Sequence, residues 1–357
     1  MKNGSRSVLQ TEKKKQRKPS LIVILELFSG GVLIGSIMLT FGFIFLVYQT
    51  NMTATTLWSS SVVDADSKQN FAPFPIGVNP YTKLIVENPA VDTYFKDFIV
   101  ARSPAERSHT SIIGRALSRL ALMDWYQNLA SPTGRILVIR SGERKEEIAK
   151  HFGDILGWNG GQRAEFIATI SNELPAVADG KFFPGTYLVP RKAEPAVIIP
   201  LISNKFKSEV TNHYTDEIEA LVPLEDTLTI ASLLEREAYD FTDMRHISGV
   251  IWNRLFAGMK LQIDATLQYS KAGKALSWWP TVVPSDKMIA SPFNTYKNAG
   301  LPPSPIANPS LDAILAALNP SKTDCMFYFH DANANFHCTK TYEEHVTLLK
   351  QYYGKGK

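Results

Sequence analysis

The chain has 357 residues, of which 45% are apolar, 11% aromatic and 20% charged. That is enough apolar material for a core, and 21 Gly with 21 Pro exclude a collagen-like or broadly disordered chain. The formal charge of +4 is unevenly spread: Lys2, Arg6, Lys13, Lys14, Lys15, Arg17 and Lys18 against Glu12 give residues 1–20 a charge of +6, leaving −2 for the other 337. No basic surface suited to nucleic acid is implied for the folded part.

Behind this tail, Leu21–Tyr48 holds one charge, Glu26, and its uncharged part Leu27–Tyr48 is 22 residues long. A helix needs about 20 to cross the hydrocarbon core. The run outlasts the roughly 7–15 apolar residues of a secretory signal and no small-x-small site closes it, so it reads as an uncleaved transmembrane helix over 21–48. With the cations on its N-terminal side, residues 1–20 are predicted in the cytoplasm and the body outside, in a bacterial plasma membrane. Residues 49–75 are Ser/Thr-rich and read as a stalk.

Residues 76–132 read as mostly helical, on the spacing of Ile112, Ile113, Ala116, Leu117, Leu120, Ala121 and Met123. No chemistry is visible there. Ile136–Ile139 reads as a strand, followed by the Ser141-Gly142 turn and a helix marked by Ile148, Phe152 and Ile155. Lys181–Pro190 reads as a local hairpin. The 136–205 stretch therefore has the layout of a small βα module.

From residue 222 onward a helix is predicted over Leu224–Tyr239, with Asp226 or Thr227 as its N-cap, and a second from Thr242 or Asp243 to a C′ glycine, Gly258. Lys260–Tyr269 reads as an extended segment and turn, and Ser291–Pro309 as a long Pro/Asn-rich loop. A short helix is expected over Leu311–Leu318, stopped by Pro320, then a hairpin of Met326–His330 and Phe336–Lys340 around Asn333. Thr341 and Glu344 form a capping box for the last helix. The turn at Asn333 does not set Cys325 opposite Cys338, which weighs against a disulfide.

The sequence has no Gly-x-Ser-x-Gly elbow, Ser-x-x-Lys, Walker A or His-Glu-x-x-His motif, and no cofactor signature. His330 and His337 could approach across the hairpin, but they make a weak metal site beside the reading of two ordinary surface histidines. Carboxylate chemistry remains. At about 100° per residue, with Ile230 at 0°, Glu237 falls near 340°, inside the apolar arc of Leu233, Leu234 and Ala238, and Glu235 near 140°, at or beyond its edge. A carboxyl carried into apolar surroundings has a raised pKa and can act as general acid. The competing reading pairs Glu237 with Arg245 or Arg254, and periodicity alone does not choose between them.

Ala231–Glu237, Ile251–Leu255, Gly258-Met259, Leu261–Thr266, Asn294–Tyr296, Gly300–Pro303, Pro305–Pro309 and Ala317–Pro320, in this order and spacing, resemble the endolytic murein transglycosylases, the YceG-like family. The clear resemblance covers about 222–350; a fainter one covers 136–205, where that family carries a LysM-like module. It implies an α+β protein: an N-terminal transmembrane helix, a small LysM-like βα module over 136–205 and a mixed α/β catalytic domain over 222–357. It implies a lyase that cleaves peptidoglycan glycan strands between N-acetylmuramic acid and N-acetylglucosamine, leaves 1,6-anhydro ends and keeps company with cell-wall synthases. Glu237 is implied as the catalytic acid. Asn253, Gln262, Asp264, Asn294 and Tyr296 match family motif positions, and their polar side chains suit substrate binding, although satisfying loop backbone is an equal reading for Asn253, Gln262, Asn294 and Tyr296. No cofactor or metal is implied. The chain departs from the family pattern at Gly185, Ala265, Ser304 and Phe336.

Overall fold

In the computed structural model the described residues are 71–96, 134–173, 179–271 and 277–354, with Thr40 and Gly42; the side chains of 169–173 are not described. The chain divides into two compact units, Met1–Thr53 and Ala54–Lys357, and every element named here belongs to the second. Among the described residues no helix is long and apolar enough to cross a membrane. The span expected over 21–48, and the tail before it, lie outside the described residues apart from Thr40 and Gly42.

The end of the expected stalk is part of the core. Phe74 is buried, lies over the His213 ring at 5.2 Å and donates its backbone N–H to the His213 carbonyl. The beginning of the supposed helical region is a tiny hairpin, β1 (Val78–Asn79) paired with β2 (Leu84–Ile85), followed by the one-turn helix α1 (Ala90–Tyr94). Asn79-Pro80 is the reason: its Oδ1 accepts the Tyr81 and Thr82 N–H groups, and Lys83 turns the chain at φ 55°. The helical spacing that suggested otherwise, at 112–123, lies outside the described residues.

A βααβα unit follows: β3 (Gly134–Ile139), α2 (Lys145–Leu156), α3 (Gly160–Glu173), β4 (Gly185–Pro190) and α4 (Pro195–Glu209). The hairpin expected inside 181–190 does not form. Only Gly185–Pro190 is strand, and it pairs antiparallel with β3, Ile139 opposite Gly185 and Gly134 opposite Pro190. The alternation Gly185, Tyr187, Val189 supplies an inward face that an apolar strand fifty residues upstream completes. Leu137, Ile148, Phe152, Phe166, Phe182 and Ile198 close this unit's own core.

After α5 (Asp216–Leu221), the larger core is organised by α6 (Leu224–Glu237), α7 (Phe241–Phe256) and α9 (Leu311–Leu318). Residues Ala313–Leu318 are fully buried, so α9 is apolar on all sides and lies inside, against α6 and α7. Helix α6 begins at Leu224 as expected, but its N-cap is Pro223 rather than Asp226 or Thr227 and it ends at Glu237, short of Tyr239; α7 is capped by Asp240, whose side chain accepts the Asp243 N–H. Gly249 lets α7 touch the chain that follows α9, since a Cβ there would meet the Ser321 carbonyl oxygen at 2.4 Å. The supposed extended segment 260–269 is in fact α8 (Asp264–Lys271), with Asp264 in its first turn and Lys271 in its last, matching the helix dipole. Eight residues are too few for their periodicity to declare a helix.

Strands β5 (Phe327–His330) and β6 (Phe336–Thr339) form the closing hairpin, and α10 (Tyr342–Tyr353) starts with the Thr341/Glu344 capping box. Asp331 organises the hairpin turn by accepting from the Asn333 and Asn335 N–H groups. Cys325 and Cys338 are joined, contrary to the expectation. They are indeed not opposite, for Cys338 pairs with Tyr328, but Cys325 precedes the strand and the chain there swings across, bringing the Cα atoms to 5.7 Å.

Candidate active site

Glu237 is the last residue of α6, and β5, α8 and, through His330, α7 build the surroundings of its carboxyl. From β5, the Tyr328 hydroxyl donates to Oε2 at 3.0 Å. From the start of α8, the Ala265 N–H bonds to it and Asp264 stands close enough to repel its charge. From α7, Asp243 grips His330 of β5, with the His330 Nε2 at 2.9 and 3.0 Å from its two oxygens. Burial dominates and raises the Glu237 pKa; Asp264 adds to this, while Tyr328, the Ala265 N–H and His330 pull it down. Burial and the neighbouring carboxylate raise the Tyr328 hydroxyl far above its ordinary range, so it stays a donor.

The arginines of the competing reading are engaged elsewhere. Arg245 donates to the Asn319 carbonyl and pairs with Asp92 at 3.3 Å. Arg254 donates to the carbonyls of Met326, Lys260 and Leu261 and to Gln262 Oε1. Glu235, two residues before Glu237, points to the start of α9 and accepts from the Ser310 N–H at 3.0 Å and its hydroxyl at 2.7 Å. The two glutamates thus do different jobs: one fixes a helix N-terminus, and the other closes a polar cluster lined by an aromatic hydroxyl.

The five other predicted residues separate into two groups. Asp264 and Tyr296 meet: the Tyr296 hydroxyl donates to Asp264 Oδ1 at 2.7 Å, beside Glu237. Burial and that bond raise the Tyr296 pKa. Gln262 is exposed, in the left-handed region at φ 55°, and its N–H donates to the Thr295 carbonyl, so it links the Asp264 and Tyr296 segments. Asn253 and Asn294 serve backbone instead. The Asn253 amide donates to the Thr323 and Cys325 carbonyls, anchoring the approach to β5. Asn294 is fully buried, donates to the Lys287 and Ile289 carbonyls and accepts from the Tyr296 N–H. These bonds are those of the loop-backbone alternative: Asn294 makes them from a fully buried position and Asn253 from a half-buried one.

Sequence reasoning did not find Tyr328, Asp243 or the Ala265 N–H. Period-two alternation along Phe327–His330 puts Tyr328 and His330 on one face, which was available as a signal. Nothing local pointed that face at α6. Among the described residues no group of three or more His, Cys, Asp or Glu could hold a metal ion. His330 and His337 lie apart, held by Asp243 and Asp331 respectively.

The βααβα unit is wired to this site through Asn308, which is fully buried. Its Oδ1 accepts from the Gly180 and Phe182 N–H groups at 2.7 and 3.0 Å, and its Nδ2 donates to the Glu143 carbonyl at 2.9 Å. Gly142, at φ 78°, donates to the Asn308 carbonyl and leaves room for Arg236, whose guanidinium would stand 3.2 Å from a Cβ there.

The chain is similar to known proteins. An endolytic murein transglycosylase of Bacillus subtilis (strain 168) is 35% identical over 200 residues, 53% of this chain and 53% of its own length. One from Streptococcus pneumoniae serotype 2 is 34% identical over 155 residues, 43% of this chain and 28% of its own. The matched stretch is thus about half the length of the first relative and under a third of the second. The 2.6 Å crystal structure of a yceG-like protein, lmo1499, from Listeria monocytogenes shares the fold with a TM-score of 0.54 at 21% identity, covering 78% of this chain and 97% of that one. The YceG-like family itself matches residues 116–351, well over half of the sequence and every element of the Glu237 cluster, and the chain belongs to that family.

Proposed function

We propose that the chain is a membrane-anchored endolytic lytic transglycosylase, which cuts peptidoglycan glycan strands between N-acetylmuramic acid and N-acetylglucosamine and leaves 1,6-anhydro ends. The observation that carries this reading is the environment of Glu237: partly buried, raised in pKa, bonded to Tyr328 and the Ala265 N–H, and with Arg245 and Arg254 committed elsewhere. Such a carboxyl holds a proton closer to neutrality than an ordinary glutamate. The family relationship and the names of the relatives supply the substrate class.

In this mechanism Glu237 gives its proton to the glycosidic oxygen as the bond from the muramic acid anomeric carbon breaks. The C6 hydroxyl of the same sugar attacks that carbon, and Glu237 takes the hydroxyl proton, returning to its starting state. The nucleophile is intramolecular, so proximity replaces a positioned water and no second carboxylate is required. Asp264, bonded to Tyr296, keeps a negative charge near Glu237 and favours its protonated form. Tyr296 and Gln262 border the substrate. Residues 21–48 form the single-pass anchor, with 1–20 in the cytoplasm and the enzyme outside; residues 136–205 are a LysM-like module, and cell-wall synthases are the partners to test first.

Glu237→Gln should abolish release of anhydro-ended muropeptides from purified sacculi, read by mass spectrometry, while Glu235→Gln largely spares it. Equal activity of the two variants sinks the assignment. Reducing ends instead of anhydro ends would point to a hydrolase that uses Glu237 with Asp264, and no cleavage at all to a glycan-binding scaffold.

A further inference from the structure

We propose that the ordered loop 277–289, led by Trp278 and Trp279, is an additional glycan subsite that stacks against sugar rings of the strand beyond the cleaved bond. This rests on the reading of Glu237 as the catalytic acid, since the loop lies between Arg236, its neighbour in sequence, and Tyr296, which bonds to Asp264.

The loop is tied down along its length. Lys271 of α8 reaches Asp286 at 2.6 Å and the Thr281 carbonyl at 2.9 Å, and the Asp286 carboxylate accepts the Val283 N–H. At one end Trp279 lies beneath Arg236, the neighbour of Glu237, with the guanidinium carbon 3.9 Å from the ring centroid, and its indole N–H donates to Glu147 of α2 at 3.3 Å. Arg144 stacks on Tyr269 of α8 at 4.0 Å and faces Trp278 at 5.5 Å. At the other end Lys287 covers the Tyr296 ring at 4.8 Å, and Tyr296 holds Asp264. The loop therefore runs as a wall from Arg236 to Tyr296, and Tyr269 sits about 7 Å along α8 from Asp264.

Trp279 packs against the larger core, but the rest of this wall presents apolar surface to solvent. Val283 is 46% and Met288 72% exposed, and both tryptophans keep part of their surface open. A loop pinned by Lys271 and by the Asn294 bonds to the Lys287 and Ile289 carbonyls has lost much of its conformational entropy already, so the open part of the Trp278 ring is pre-organised for a ligand. The ligand that suits a flat, amphipathic ring held beside a carbohydrate cleft is a pyranose, whose axial C–H face packs on indole while its hydroxyl and acetamido groups stay wet. A run of N-acetylhexosamine rings, continuous with the one at Glu237, is the occupant.

The test is binding of amidase-stripped glycan strands to the full chain carrying Glu237→Gln, alone and with Trp278→Ala or Trp278→Phe, together with kinetics of the Trp278 variants in the unmodified chain. We expect Trp278→Ala to weaken binding about tenfold and to raise KM while kcat changes little, with Phe in between because it keeps a smaller ring. Binding within about twofold of the parent in both variants, or a loss that falls on kcat alone, overturns the subsite. If the Glu237→Gln chain still cleaves, the catalytic reading fails by itself, and the comparison of strand bound by the Trp278 variants continues to decide the subsite.

Discussion

Replacing Asn308 with Ala should destabilise the protein far more than its place in a Pro-rich loop suggests. The side chain is fully buried and makes three hydrogen bonds: Oδ1 accepts from Gly180 and Phe182, and Nδ2 donates to the Glu143 carbonyl. Alanine removes all three and strands two buried N–H donors, each costing about 1–3 kcal/mol when left without a partner. Part of that is recovered by relaxation or an entering water, so the net loss is about 2–4 kcal/mol. The backbone bonds of Asn308 to Glu143 and Gly142 survive the substitution and limit the damage. Asn298→Ala is the matched control, because the Asn298 side chain also makes three hydrogen bonds, donating to the carbonyls of Ser291, Pro292 and Asn294, but from an exposed position where water can replace it. Its cost should stay within about 1 kcal/mol. Denaturant unfolding followed by tryptophan fluorescence compares the two. Equal losses, or a loss below about 1 kcal/mol for Asn308→Ala, would refute the claim that this side chain clamps the βααβα unit to the larger core.

Two further predictions concern protons. Tyr328→Phe removes a donor that favours the ionised form of Glu237, so the pKa of that carboxyl rises further and the basic limb of the kcat/KM profile should move to higher pH; an unmoved limb with activity uniformly reduced would leave Tyr328 a packing residue. Asp179, fully buried between the Lys145 N–H and the Tyr269 hydroxyl, is pushed up to about 7, chiefly by burial and then by Glu146. Its folded pKa lies above the ordinary aspartate value near 4, so the folded state holds the proton longer than the unfolded one. Stability from this group is complete below about pH 4, declines as pH rises and is gone above about 7. Asp179→Asn should flatten that decline in unfolding measurements between pH 5 and 8, and an unchanged slope would remove Asp179 as its source.

Long helices were legible because their signals are local, although the N-caps expected for α6 and α7 fall instead at Pro223 and Asp240. The apolar arc of α6 carried Glu237 inward and left Glu235 outside, and the Thr341 box and Pro320 stop fall where the chain obeys them. What escaped was set by distant partners. β4 waits for β3, and α8 is too short to announce itself, taking its place from the Lys271 and Thr266 contacts. Polar residues in the Pro/Asn-rich loop could not be sorted in advance, since substrate contact and backbone satisfaction call for the same amides. Only burial separates Asn294 from Tyr296. Tyr328 escaped for a similar reason: alternation gives its face, and only the packing of the hairpin on α6 gives that face a carboxylate.

The bond between Cys325 and Cys338 has a consequence for assembly of the site. It ties the chain just before β5 to the middle of β6, a separation of 13 positions, around a hairpin that two short strands alone would hold only marginally. Closing a ring of that size removes about 3 kcal/mol of freedom from the unfolded chain. Tyr328 and His330 ride inside the ring. The partner of the Glu237 carboxyl therefore arrives on a covalently closed unit, and oxidation of two thiols becomes a step in building a carboxyl environment that itself contains no sulfur.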